Sequence, residues 1–251
     1  AGRVRSMKRA CPRLLTLCGL APTATELDTS LLSVGDAMLL APELGKLRRA
    51  SLSRVDDESS AQLAAALAED HGSLTELSLL KNTFGVETAG KLAGLSKQIR
   101  VSFCCISPEQ EKASFYCKGL RAADAILIAA ALFFRPLTSL DISGNRIGPE
   151  GGKALAKALP CCSLTCMDLA ENNIGVEGGK AIASALPESA LTVLNLSRNE
   201  LGNDGGLAVA NGIRDSAALV RVNACLNGLD ERVKRALQDA VSDRDCFMLK
   251  L

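Results

Sequence analysis

The chain has 251 residues, with 29 basic and 28 acidic side chains, so its net charge is close to zero. A balanced charge gives no field over the whole protein that would attract nucleic acid or a membrane surface. Hydrophobic residues make up 47% of the chain but aromatic residues only 3%, which predicts a core of many similar aliphatic layers. The longest apolar run, residues 125–134, is too short for a transmembrane helix, which needs about 20 residues.

Residues 1–43 are predicted to form a basic arm and an N-terminal capping region. Residues 3–13 contain five basic side chains and no acidic one. This composition fits a transit-peptide remnant, an arm that docks on an acidic partner, or a solvated tail. The segment is rich in leucine, but its sequence cannot be aligned with the units that follow.

From residue 44 onward, segments with strand and helix patterns alternate. Residues 55–67 match the helical half of the later units, and a degenerate strand is expected within residues 44–53. A clearer copy begins at residue 74 and contains Asn82. Residues 99–103 are predicted as the next strand, which places Cys104 at the position of that asparagine. The next asparagine of the pattern follows 41 residues later instead of 27 or 28, which predicts an insertion near residues 110–119.

The plainest repeats occupy residues 137–228. The motif LxxLxLxxNxIGxxGGxxIAxAL recurs almost unchanged with its asparagine at positions 145, 172 and 199, and a shortened copy has it at position 227. In each copy, alternating apolar and polar residues predict a short strand, and apolar residues at three- and four-residue steps predict a helix. A single unit cannot bury its apolar face, so the units are expected to stack and share a core. Residues 229–251 are predicted to form a C-terminal cap.

Motifs that could carry chemistry are weak in this sequence. The segment 144–153, GNRIGPEGGK, suggests a phosphate-binding loop, but Ile147 stands where that loop needs glycine and Ala154 follows the lysine. The one histidine, His71, rules out a multi-histidine metal centre and is expected to end a helix. The ten cysteines include no paired CxxC motif, so free thiols are favoured. We therefore predict no catalytic residue, cofactor or metal.

The repeat resembles the ribonuclease-inhibitor-like class of leucine-rich repeats, which includes ribonuclease inhibitor, Ran GTPase-activating protein and the sensor arrays of NOD-like receptors. The resemblance covers about residues 44–240 and is most specific over residues 137–227. It implies an α/β solenoid shaped as a horseshoe, with a parallel β-sheet on the concave face, helices on the convex face and about seven repeats of 27–28 residues. It also implies an intracellular protein, cytoplasmic or organellar. In this class the residue at the asparagine position bonds the turn from inside, a structural role that would fall to Asn82, Cys104, Asn145, Asn172, Asn199 and Asn227.

Outward-facing strand positions provide the first candidate binding surface, which has an acidic centre flanked by arginines. Such a face is typical both of solvated sheets and of protein-recognition surfaces, and solenoids use it for recognition. The predicted insertion is the second candidate, because loops that grow from a regular scaffold often carry specific contacts. The candidate residues are Arg100, Phe103, Asp141, Asp168, Glu171, Arg198 and Arg221 on the concave face, and Phe115 and Tyr116 in the insertion.

Three functions fit the sequence. The leading hypothesis is a non-enzymatic scaffold that binds proteins, as a subunit or adaptor of a larger assembly. The alternative, which depends on the family resemblance, is a GTPase-activating regulator of a small GTPase, with Arg146 or Asn173 at its rim. A third function, inhibition of a basic enzyme that the horseshoe would enclose, is less favoured because only three concave residues are acidic.

Overall fold

The computed structural model describes residues 26–29, for their backbone alone, and residues 48–52, 55–69 and 72–251. His71 and the predicted N-terminal arm, apart from residues 26–29, lie outside the described residues. From residue 49 onward, strands and helices alternate along the described chain. The strands are β1 Glu26–Thr29, β2 Arg49–Leu52, β3 Glu76–Ser78, β4 Lys112–Ser114, β5 Ser139–Asp141, β6 Cys166–Asp168, β7 Val193–Asn195, β8 Arg221–Asn223 and β9 Met248–Lys250. The helices are α1 Asp57–Glu69, α2 Val86–Ile99, α3 Ala122–Leu132, α4 Gly148–Ala158, α5 Gly175–Ala185, α6 Gly202–Asp215 and α7 Glu231–Asp239.

All strand pairs in the described chain are parallel, and the strands follow one another in sequence order. One sheet contains β1, β2 and β3, and the other contains β4 to β9. In the second sheet each strand residue lies opposite the residue 27 or 28 positions further along the chain. Ser139 pairs with Cys166, and Val193 pairs with Arg221. A helix lies between each strand of this sheet and the next strand. The predicted fold class, an α/β solenoid of stacked repeats, is confirmed.

Each strand of the regular repeats buries one residue and leaves its two neighbours at the surface. In β5, Leu140 is buried while Ser139 and Asp141 are half-exposed. The same pattern occurs in β6 and β7, so the buried residues of successive strands form a continuous aliphatic layer under the sheet. Alternation of this kind places polar side chains in two columns on the opposite face of the sheet.

Paired glycines allow neighbouring helices to pack closely on the convex side. A Cβ atom at Gly152 in α4 would lie 2.9 Å from Ile174 Cγ2 and 3.3 Å from the Cα of Gly178 in α5. The lysine that follows, Lys153, instead pairs with Glu150 at the surface, with 2.8 Å between nitrogen and oxygen. The glycine-rich segment 144–153 is thus a turn and the first part of a helix. In the described part of the chain the longest helices have 14 residues, and none is long and apolar enough to cross a bilayer.

The segment between α2 and α3 differs from the sequence prediction. Residues 101–103 lie beside β3, where Ser102 forms an isolated parallel bridge with Glu76. No helix occurs within residues 101–111, and the chain passes directly into β4. Strand β4 pairs with β5 in the regular 27-residue register, with Lys112 opposite Ser139. Residues 110–119 are therefore the strand and turn of a full repeat, and the shortened unit is the one before it.

The two ends of the array also differ from the predicted boundaries. Strand β1, within residues 26–29, pairs with β2, so the parallel sheet begins before residue 44. At the other end, α7 and β9 lie within the predicted cap. Strand β9 pairs with β8 in the same parallel register, with Met248 opposite Arg221. The segment 229–251 thus continues the repeat pattern as well as covering the end of the core.

Candidate functional site

Buried asparagines join the turns of successive repeats. Asn199 is fully buried, its Nδ2 donates to the carbonyl of Leu169 at 2.8 Å, and its Oδ1 accepts the N–H of Asn172 at 3.0 Å. Amide side chains can satisfy both donors and acceptors of a turn at once. Three further asparagines each accept an N–H group of the preceding repeat with their side-chain oxygen. Asn82, Asn145 and Asn227 accept the N–H groups of Val55, Leu120 and Asn199, respectively.

Cys104 forms a different set of contacts from the asparagines. Its thiol is fully buried and lies 3.4 Å from the hydroxyl of Ser102, which in turn accepts the N–H of Ile106 at 3.1 Å. These partners belong to its own turn and not to the preceding repeat. Burial raises the pKa of the Cys104 thiol to about 12, so the group stays protonated at neutral pH. None of the eight cysteines in the described part of the chain forms a disulfide bond.

Four side chains on the strand face form a cluster, Tyr116, Asp141, Asp168 and Glu171, which we call the acidic concave patch. Asp141 and Asp168 are opposite each other in the register of β5 and β6. A hydrogen bond with the Cys117 sulfur raises the pKa of the Tyr116 hydroxyl, and the negative charges of Glu171 and Asp141 raise it further. The segment predicted as an insertion and the predicted acidic centre therefore meet on one surface.

Neutral donors fix the two aspartates in place. The Oδ1 atom of Asp141 accepts the N–H of Ser143 at 2.9 Å, and its Oδ2 atom accepts the hydroxyl of Ser114 at 3.0 Å. Asp168 accepts the N–H of residue 170 at 2.9 Å and the side-chain amide of Asn195 at 3.0 Å. Within the described residues, no basic side chain lies within ion-pair distance of either carboxylate. Like charges opposite each other on adjacent strands are destabilising, so a positive group placed here would be stabilised.

The arginines beside the patch have different positions. Arg198 pairs with Glu171 at 3.4 Å, and both side chains are more than half exposed. Such a pair contributes little stability, because solvent screens it. Arg221 is exposed on β8, where its Nη2 atom lies 3.6 Å from the sulfur of Met248. The aspartate pair thus keeps its charge uncompensated, whereas Glu171 does not.

Three predicted contact residues lie elsewhere. Phe103 is fully buried in the core and cannot contact a partner, because residues 101–103 are all buried and do not follow the regular alternation. Arg100 ends α2 in the left-handed conformation, with its guanidinium 5.9 Å from the ring centre of Phe134, and so belongs to the connection between helix and strand. Phe115 is half-buried and packs against the main core, while its neighbour Tyr116 is 60% exposed.

The rim residues of the alternative function lie near the turn edge of the sheet. Arg146 is exposed and, with Arg121, lines a cleft of about 710 Å³ there. The side-chain amide of Asn173 donates to the carboxylate of Glu200 at 3.1 Å. Among the described residues, no group of three or more histidine, cysteine, aspartate or glutamate side chains is arranged to hold a metal ion.

Ser114, whose hydroxyl bonds Asp141, was not predicted as a strand residue. Asn195, which bonds Asp168, occupies the position of Asp168 on the next strand, and the repeat register predicts that its side chain faces outward there. Ser114 occupies the position of Asp141 on the preceding strand, but β4 was not recognised as a strand.

A family model described as Leucine Rich repeat matches residues 135–156, 161–183 and 190–210. Among solved structures, the chain is similar to the actin-binding site 2 of leiomodin-1, with 18% identity and a TM-score of 0.49 over 54% of this chain and 80% of that one. It is also similar to a structure of the yeast Rad7 and Elc1 complex, with 16% identity and a TM-score of 0.35 over 84% of this chain and 65% of that one. No curated protein sequence matches the chain. The matched segments each contain one strand and the first part of the helix that follows, so these three segments of the α/β solenoid match leucine-rich repeats.

Proposed function

We propose that the chain is a non-enzymatic scaffold that binds another protein through the concave face of its leucine-rich repeats, as an adaptor or subunit of a larger assembly. The observation that carries this proposal is the acidic concave patch, in which two aspartates with fixed orientations have no basic side chain within ion-pair distance among the described residues. We assign the repeats to the ribonuclease-inhibitor-like class on the basis of their 27–28-residue period and the helix that follows the strand in each regular repeat.

The patch combines features that favour protein recognition. Tyr116 presents an exposed ring beside the carboxylates of Asp141 and Glu171. Tyrosine is enriched among residues that dominate binding energy, since it has a large apolar area and few rotatable bonds. Carboxylates held by neighbouring donors lose little further entropy when a partner binds. The expected partner presents a lysine or arginine next to an apolar side chain.

The sharpest test neutralises the aspartates and preserves their turns. Asn195 and Asn223 occupy the equivalent positions on β7 and β8, and each accepts the N–H two residues later, as the aspartates do. The double variant Asp141→Asn and Asp168→Asn should therefore keep the fold. We expect it to lose at least tenfold in affinity for partners recovered by affinity purification and mass spectrometry. The control Glu177→Gln removes a charge from an exposed side chain of α5 and should bind normally.

Unchanged binding by the double variant would refute the concave-face proposal. Stimulated GTP hydrolysis across a panel of small GTPases would instead favour the alternative, a GTPase-activating regulator. In that case Arg146→Ala should abolish the stimulation, since Arg146 is exposed at the rim of the cleft.

A further inference from the structure

A groove of about 320 Å³ lies on the convex face, between helices α2, α3 and α4. Each of the three helices contributes side chains from one of its faces, and Phe133, the residue after α3, also lines the groove. The apolar walls include Val86, which is 43% exposed, and Phe133, which is 37% exposed. The floor is made of small residues, and a Cβ atom added at Gly90 would have no neighbouring atom within 4 Å. The groove is therefore open to an incoming side chain.

Helix α3 gives no polar side chain to this surface. Its one charged residue, Asp124, is buried and accepts the N–H groups of Lys81 at 2.6 Å and Arg121 at 2.8 Å. The equivalent helix α5, by contrast, places Glu177 and Ser184 in solvent. A helix without a polar face is normally covered on all sides, whereas in α3 the side chain of Ile126 is only partly covered.

Two lysines on the rim lack an acidic partner. The Nζ atom of Lys97 lies 3.4 Å from the ring centre of Phe133, and partial burial together with the charge of Lys157 lowers the pKa of Lys97. Neither lysine has a carboxylate within ion-pair distance among the described residues, while the third lysine of the rim, Lys153, is paired with Glu150. The rim thus has two neighbouring positive charges that repel each other and that an acidic ligand would compensate.

We propose that this groove binds an acidic amphipathic helix of a partner protein. The apolar side chains of such a helix, spaced at three and four residues, would enter the groove, and its flanking carboxylates would pair with Lys97 and Lys157. A flat anionic membrane would contact the lysines on the rim but would not reach the floor of the groove. A peptide therefore fits the groove better. The site lies on the helix side of the solenoid and selects negative charge, whereas the acidic concave patch selects positive charge. The two sites therefore take different partners.

Two glycines of α2 provide a matched pair of variants. Gly90 lines the groove and Gly94, one turn further on, does not, and an added Cβ meets no atom within 4 Å at either position. Leucine has a higher helix propensity than glycine, so both substitutions should keep the fold or stabilise it. Gly90→Leu should fill the groove and block binding, and Gly94→Leu should leave it open.

The test uses a display library of 16-residue helical peptides with apolar residues at positions i, i+3, i+4 and i+7 and either acidic or basic flanks. We expect selection on the full chain to enrich acidic peptides, which bind Gly90→Leu at least tenfold more weakly and Gly94→Leu normally. Lys157→Glu should weaken the same peptides, and the control Lys180→Glu on α5 should not. The Asp141→Asn and Asp168→Asn double variant should bind them normally, which separates this site from the concave one.

Enrichment of basic peptides, enrichment of none, or equal binding by the two leucine variants would overturn the proposal. Binding to vesicles that contain phosphatidylserine, lost in Lys157→Glu but retained in Gly90→Leu, would also overturn it, because the lysines would then act without the groove.

Discussion

Replacement of Asn199 by alanine should destabilise the protein far more than the same replacement of Asn172. Both asparagines are fully buried, and both donate to carbonyl groups of the preceding repeat. Their side-chain oxygens differ. The Oδ1 atom of Asn199 accepts the N–H groups of Asn172 at 3.0 Å and Ile174 at 3.3 Å, whereas that of Asn172 has no hydrogen-bond partner in the described part of the chain. The two variants thus remove similar volumes but different hydrogen bonds.

The size of the effect follows from the groups that each variant leaves unpaired. The carbonyl oxygen of Leu169 accepts a hydrogen bond from the side-chain amide of each asparagine. In either variant it therefore keeps a hydrogen bond from the asparagine that remains. Asn199→Ala leaves two N–H groups without an acceptor, at about 1–3 kcal/mol each, or roughly 4 kcal/mol in total. Asn172→Ala removes hydrogen bonds that the side-chain Nδ2 donates, together with an oxygen that accepts none. We therefore expect the free energy of unfolding to fall by about 1–2 kcal/mol.

Urea denaturation of the whole chain measures the difference, and amide hydrogen exchange locates it. At roughly 2–4 °C per kcal/mol, Asn199→Ala should lower the Tm by about 8–16 °C. Exchange should become faster at the amides of Asn172 and Ile174 in Asn199→Ala. Equal losses of stability in the two variants would refute the hydrogen-bond reasoning and point to side-chain volume as the cause.

Further predictions concern packing, a thiol and the C-terminal strand. Gly212→Ala should cost roughly 1–3 kcal/mol, because its Cβ would lie 2.5 Å from the carbonyl oxygen of Ala183, whereas Gly94→Ala should stabilise by up to about 1 kcal/mol; equal urea midpoints would contradict this. Cys104 should resist iodoacetamide until the protein unfolds, which mass spectrometry checks. Its contribution to the free energy of unfolding should be complete below about pH 9 and be lost as the pH rises towards 12, because the thiol ionises first in the unfolded chain; urea titrations at several pH values check this. Deletion of residues 246–251 should lower the Tm, since β9 hydrogen-bonds to the neighbouring strand region through Met248 and Lys250; an unchanged thermal melt would show that β9 is not part of the cap.

The regular repeats could be predicted from the sequence because each position has one physical task. Leucines at alternate positions fill the core, and the asparagine satisfies the turn, so the motif LxxLxLxxN fixes both strand and register. Strand β4 was missed since it has Ala113 and Phe115 where β5 has Leu140 and Ile142, and Lys118 where the next repeat has Asn145. The register of β4 is seen in the structure, where Lys112 pairs with Ser139 of β5.

The surfaces were predicted less well than the fold for a related reason. Alternation identified Asp141 and Asp168 correctly as outward residues of β5 and β6, but the same rule placed the buried Phe103 at the surface. The apolar run 125–134 was visible in the sequence. Its position between two helices that each carry a lysine with no acidic partner among the described residues depends on how α2, α3 and α4 stack, which one segment cannot reveal.

The asparagine bonds should also determine which binding surface a mutation affects. In a solenoid each repeat contacts its neighbours, so a local change affects distant repeats weakly. Asn199 holds the turn that follows Asp168 and contains Glu171, while none of its bonding partners lies in α2, α3 or α4. At a temperature where it remains folded, Asn199→Ala should therefore weaken binding at the acidic concave patch and leave acidic peptides bound in the convex groove. Parallel loss at both sites, measured by titration calorimetry, would show that the array responds as one cooperative unit and that this separation is wrong.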